Sequence, residues 1–82
     1  MNDIDSRIRA VLAKHGRLSE NANSLDVNDD LQQVGMTSHA SVNVMLALED
    51  AFDFEFPEKM LKKSTFESID AISTAVNELT GV

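Results

Sequence analysis

Four side chains that can bond, titrate or be modified fall between positions 37 and 41: Thr37, Ser38, His39 and Ser41, in the stretch "GMTSHAS" that begins at Gly35. Three chemistries are open to such a cluster. A hydroxyl at a helix start can accept a hydrogen bond from a free backbone N–H, and Ser38 or Thr37 is placed to do so ahead of the apolar run "VNVMLALEDAF". A serine and a histidine can form an activated nucleophile and base, but neighbours at a helix start point apart and no acid is spaced to orient His39. A hydrolase or transferase built on Ser38 and His39 is therefore not expected. The third chemistry is attachment. Ser38 follows a polar loop containing Gly35 and stands at the N-terminus of an apolar helix, whose free N–H groups and dipole favour an anion, so a phosphodiester on its hydroxyl would be tolerated.

Other chemistry-bearing groups are weaker. "DVNDD", with Asp26, Asn28 and Asp30, begins like a calcium loop, but Leu31 stands where the sharp turn needs Gly and Thr37 where a bidentate Glu belongs. His15 and His39 are the two histidines, and neither has a second ligand or nucleophile at a diagnostic spacing. Glu49 and Asp53 are four apart and could share a helix face, which reads as a solvated acidic surface. With no cysteine there is no disulfide, thiolate metal site or thiol nucleophile. No nucleophile, base and orienter converge, and no enzyme is expected.

The elements that would position Ser38 follow from apolar spacing. Ile4, Ile8, Val11 and Leu12 mark a first helix, capped by Asn2 or Asp3 and stopped at His15-Gly16. From Arg17 to Thr37 a long polar loop carries Leu18, Leu25, Leu31 and Val34 as anchors, with one helical turn expected at Asp30 to Val34. The second helix places Val42, Met45, Leu46, Leu48 and Phe52 on its apolar positions and ends near Phe52 or Asp53. "DFEFP" alternates like a strand but is too short to pair, and Pro57 opens a short third helix, "PEKMLKK", with Lys62 and Lys63 at its end. Ser64 or Thr65 caps a fourth helix with Phe66, Ile69, Ile72, Val76 and Leu79 on one face, closed by Gly81. The expected fold is all-α, a four-helix bundle in a single domain over residues 1–82.

The 82 residues, 43% of them hydrophobic, suffice for one core without a staple. A folded monomer is expected. A formal charge of −7 would repel nucleic acid and anionic lipid, and favours encounter with basic protein surfaces. Neither a secretory signal layout nor a membrane-length apolar run is visible, so a cytoplasmic location is expected.

The run "DDLQQVGMTSHASVNVMLALEDAFDFEFPEKML" resembles the acyl carrier protein family. Leu31, Gly35, Ser38, Val42, Leu48, Glu49, Phe52, Asp53, Phe56 and Pro57 fall without a gap into that family's pattern of loop, Gly, motif serine, apolar helix and Phe-Pro. The likeness extends over nearly the whole chain. It implies a four-helix bundle of acyl-carrier type, with a long loop between helices one and two and a short helix three. It also implies a 4'-phosphopantetheine arm, taken from coenzyme A by a phosphopantetheinyl transferase and esterified to Ser38, whose thiol holds cargo as a thioester. A chain without cysteine can carry thioesters when the sulfur arrives on such an arm. Docking to partners would fall on the start of helix two, at Thr37, His39, Ala40, Val42, Asn43, Met45 and Leu46.

Two residues depart from the family pattern: Thr37 replaces the acid before the serine, and His39 the leucine after it. Ala40, Asn43 and Ala51 replace acids common on helix two of fatty-acid carriers, which would redirect docking to other partners. With "MLALEDAFDFEFP" and "FESIDAI", these features are most similar to the small stand-alone bacterial aminoacyl carrier proteins. That resemblance implies loading by an amino acid:carrier protein ligase similar to class II aminoacyl-tRNA synthetases. Fatty-acyl, polyketide or peptidyl carriers with other acyl-loading enzymes share the fold, and an unmodified helical interaction module is the alternative of another class.

Overall fold

Ile8 and Leu12, one helical turn apart, are both sealed from solvent, and the helix that their spacing implies runs Asp3–His15 (α1). The computed structural model describes residues 3–19 and 21–81; the expected cap at Asn2 lies outside them, and Asp3 is already helical. Two further α-helices follow, α2 (Ser38–Phe52) and α3 (Ile69–Thr80), with short 3-10 turns at Ala22–Ser24, Glu58–Met60 and Lys63–Phe66. Among the described residues there is no strand.

α1 stops at His15 as expected, through a Gly16 N–H to Leu12 O hydrogen bond of 2.8 Å. Gly16 serves close approach, since a Cβ there would lie 2.8 Å from the same carbonyl oxygen; the left-handed turn falls on Arg17, at φ 54°. The exit of α3 does use glycine in that way, with Gly81 at φ 73° donating to Asn77 O.

The loop between α1 and α2 is anchored more firmly than its polarity suggests. Leu25, Leu31 and Val34 are buried as expected, and so are Ala22 and Met36. Its turn at residues 31–35 is closed by Gln33 N–H to Asp30 O and Met36 N–H to Leu31 O, each 3.0 Å. The Leu31 N–H donates to Glu67 O at 2.8 Å and the Asp70 N–H to Val27 O at 2.9 Å, fastening the loop to the start of α3. On the other side Arg9 of α1 donates to Ala22 O at 2.8 Å and Leu25 O at 2.7 Å while its Nε donates to Asp5 at 3.0 Å. Arg9→Ala would leave two part-buried carbonyls without this charged donor. The expected result is a loss of about 2 kcal/mol in unfolding free energy, measured by urea titration.

The fourth helix of the expected bundle is absent among the described residues, which hold three α-helices. "PEKMLKK" yields only the 3-10 turn Glu58–Met60, and neither Pro57 nor Lys62 makes a side-chain cap. So short and uncapped a segment cannot offset helix nucleation, and the tighter turn results. The last helix also starts later than expected. Ser68, not Ser64 or Thr65, is its cap, accepting from Ala71 N–H at 3.1 Å, while Thr65 is buried.

α2 is rotated relative to the expectation. Its buried face is Ala40, Val44 and Leu48, spaced four apart, whereas Val42 and Leu46 are 50% and 53% exposed. Beyond α2, Asp53 takes the left-handed conformation at φ 54° and the chain runs on in a non-helical segment to Pro57. Glu49 holds that segment by accepting the Phe56 N–H at 2.8 Å. Phe52, Phe54, Phe56 and Phe66 then stack edge to face in sequence, with centroids 6.4, 4.7 and 5.1 Å apart. Arg7 closes the end of this row, its guanidinium 4.6 Å from the Phe52 centroid and donating to Ala51 O.

Candidate functional site

Thr37 has extended backbone, φ −82° and ψ 169°, and its Oγ1 accepts the Ala40 N–H at 3.0 Å. That makes Thr37 the cap of α2 and Ser38 its first helical residue. The distinction matters chemically. Ser38 is exposed, and its hydroxyl has no hydrogen-bond partner among the described residues. Ser41 is engaged, its hydroxyl donating to Ser38 O at 2.8 Å. His39 is exposed beside Ser38, and no acid lies in the first turn of α2.

Gly35 sets the approach to this serine. It has φ 111°, a region essentially limited to glycine, and a Cβ there would lie 3.2 Å from Ser19 N. The contact is fixed by Ser19, whose N–H and hydroxyl both donate to Val34 O, at 2.7 and 3.0 Å. Met36, next in line, is buried, so Ser38 is mounted on packed residues on both its loop and helix sides.

A cavity of about 420 Å³ opens beside Ser38. α2 contributes Ser41, Val42 and Met45; the loop contributes Gln32 and Met36; the segment after the 3-10 turn Glu58–Met60 contributes Leu61, Lys62, Lys63 and Phe66. The residues expected to dock partners divide between two faces. Val42 and Met45 line this cavity with Ser38, while Asn43 and Leu46 line a second hollow, of about 550 Å³, against Val11, Lys14 and His15 of α1. Thr37 and His39 flank the serine, and Ala40, 1% exposed, has its side chain in the core and presents no docking surface. Sequence reasoning missed Leu61, Lys62, Lys63 and Phe66 as neighbours of Ser38. The available signal was the placing of Lys59, Lys62 and Lys63, three of seven basic residues, within five positions.

The other candidate clusters are taken up in local structure. Asp26 accepts the Asn28 N–H at 3.0 Å and Asp29 the Asp26 N–H at 2.9 Å. Among the described residues no group of three or more His, Cys, Asp and Glu side chains is placed to hold a metal ion. None of the described helices is long and apolar enough to cross a membrane.

A free hydroxyl at a helix start, an adjoining cavity and nearby cations fit an anionic prosthetic group tethered at Ser38. Comparison with known proteins agrees with such a group. The family model described as phosphopantetheine attachment site matches residues 6–76. The chain is 41% identical over 73 residues to the aminoacyl carrier protein of Agrobacterium fabrum (strain C58), covering 89% of this chain and 88% of that one. A chain in the crystal structure of an engineered Bradyrhizobium japonicum glycine:carrier protein ligase, complexed with carrier protein from Agrobacterium tumefaciens and AMP, superposes with a TM-score of 0.87 at 41% identity. That match covers 89% of this chain and 97% of the other. A chain in the structure of the Bradyrhizobium japonicum ligase complexed with glycylated carrier protein gives 0.70 at 32% identity, covering 90% and 99%.

Proposed function

The chain belongs to the phosphopantetheine attachment site family, and on that premise we propose that Ser38 bears the arm and that the protein carries an aminoacyl group on it. The observation that supports the assignment to Ser38 is its exposed hydroxyl, which has no partner among the described residues because Thr37 does the capping. When bound, the arm supplies a terminal thiol on which an acyl group is held as a thioester.

The chain's own residues provide a mount. Attachment forms one bond, from Ser38 Oγ to phosphorus; the pyrophosphate bond of coenzyme A breaks, the nucleotide half leaves, and the hydroxyl proton passes to a base on the transferase. Thr37 keeps the first turn of α2 in place through this step, and the positive end of the helix dipole stabilises the added negative charge. Gly35 lets the loop pass close to Ser19 without displacing the serine. Loading and unloading belong to partner enzymes, and the protein acts as a non-enzymatic carrier in the cytoplasm, a reading supported by its family and its aminoacyl carrier relatives. The glycine ligase complexes of its structural relatives make a synthetase-like amino acid ligase the partner and glycine the first cargo to offer.

Intact mass tests this. With coenzyme A and an active phosphopantetheinyl transferase the chain is expected to gain a single phosphopantetheinyl increment, and then a glycyl increment with ATP, glycine and the ligase. An unchanged mass in the first step rejects the carrier. Loading of long acyl chains in preference to amino acids rejects the aminoacyl cargo.

A further inference from the structure

We propose that Lys62 and Lys63 form an electrostatic seat for the phosphodiester at Ser38, holding the proximal half of the arm along the cavity beside α2. The inference rests on attachment at Ser38 and adds a resting position for what is attached. Both lysines line the same cavity as Ser38. Neither has an ion-pair partner among the described residues, although the chain holds fourteen acids to seven bases. In a protein of formal charge −7, two unpaired cations next to a free hydroxyl are where a new anion gains most and disturbs least. The first turn of α2 contains no acid to oppose it.

The rest of the cavity matches the arm beyond its phosphate. Its apolar lining comes from Met36, Val42, Met45, Leu61 and Phe66, and Val42 and Leu61 are about half exposed, at 50% and 49%. Beyond the phosphate the arm has one methylene, then a quaternary carbon bearing two methyls, then a carbinol and a run of amides and methylenes, so an anion seated at the lysines would lay those methyls against Leu61 and Val42. A volume of about 420 Å³ lies within the ~300–1,000 Å³ usual for small-molecule sites. Anchoring at the phosphate end leaves the thiol end with its cargo outermost, where a partner can reach it. The seat is exposed and therefore weak and salt-sensitive, which suits an arm that must be released to a partner enzyme.

The test is NMR on isotope-labelled holo protein whose mass increment has first been confirmed. Apo and holo spectra are expected to differ at Leu61, Lys62, Lys63 and Phe66 as well as beside Ser38, with cross-peaks from the pantetheine methyls to Leu61 and Phe66. In holo K62Q/K63Q those cross-peaks are expected to weaken about two- to five-fold, the range for an exposed ion pair, and added salt should weaken them in the unsubstituted protein. Lys59→Gln, which removes a charge outside the cavity, should leave them unchanged. Differences confined to residues 37–40, cross-peaks that survive K62Q/K63Q, or an equal loss in Lys59→Gln would each overturn the seat while leaving the carrier standing. A chain that takes no mass increment overturns both.

Discussion

Ser38→Ala is expected to abolish the phosphopantetheinyl mass increment completely and to leave the unfolding free energy within about 0.5 kcal/mol of the unsubstituted protein. The pairing of these results is what separates an attachment residue from a cap. A serine whose hydroxyl received the Ala40 N–H would lose about 1 kcal/mol on truncation. Here that N–H is received by Thr37 at 3.0 Å, and the Ser38 hydroxyl has no partner among the described residues to lose. Thr37→Ala is the complementary variant: about 1 kcal/mol less stable in urea, yet still able to accept the arm, because it keeps the serine itself. A Ser38→Ala protein with an unaltered mass gain would move the attachment elsewhere, and one destabilised by as much as Thr37→Ala would return Ser38 to a capping role.

A pair of leucines two positions apart in α2 should give the largest contrast in stability. Leu48 is fully buried, whereas Leu46 is 53% exposed at the rim of the hollow beside α1. Leu48→Ala opens a cavity among packed side chains and is expected to cost about 2–5 kcal/mol, a large share of the ~5–15 kcal/mol that a domain has. At roughly 4–8 °C per kcal/mol for a domain of this size, the calorimetric midpoint should fall by at least about 8 °C. Leu46→Ala should cost under about 1 kcal/mol, since most of the side chain already meets water. Equal costs would mean that α2 is turned differently about its axis.

Those two leucines show where the sequence ceases to be legible. Helical spacing marked α2, its end at Phe52 or Asp53 and its serine, because period and turn residues are local properties. Which of Val42, Val44, Leu46 and Leu48 face inward is decided by what the helix packs against. Small Ala40 at the buried edge, read as a docking position, left the apolar stripe ambiguous. The segment 58–66 failed for a related reason. Its composition allows a helix, but burial of Phe66 against Phe56, 5.1 Å between centroids, favours 3-10 turns. Lys59, Lys62 and Lys63 are visible in the sequence, where spacing puts Lys62 and Lys63 at the end of a short helix. Only the turn of the chain after Pro57 brings two of them beside Ser38. The loop's anchors Leu25, Leu31 and Val34 were readable from their isolation among polar residues, whereas Arg9 gripping Ala22 and Leu25 carbonyls was not, since an arginine on a helix gives no sign of a backbone target.

The fastening of that loop has a mechanical consequence. Arg9 holds one flank, and the Leu31 and Asp70 amides tie the other to the start of α3, so the loop leading to Ser38 is fastened to helices on both sides. Amide protons at Leu31 and Asp70 should then exchange with deuterium only as slowly as those inside α1. If Ser38 bears the arm, its base is held in place, and once the lysine seat lets go the reach of the cargo is set by the length of the arm.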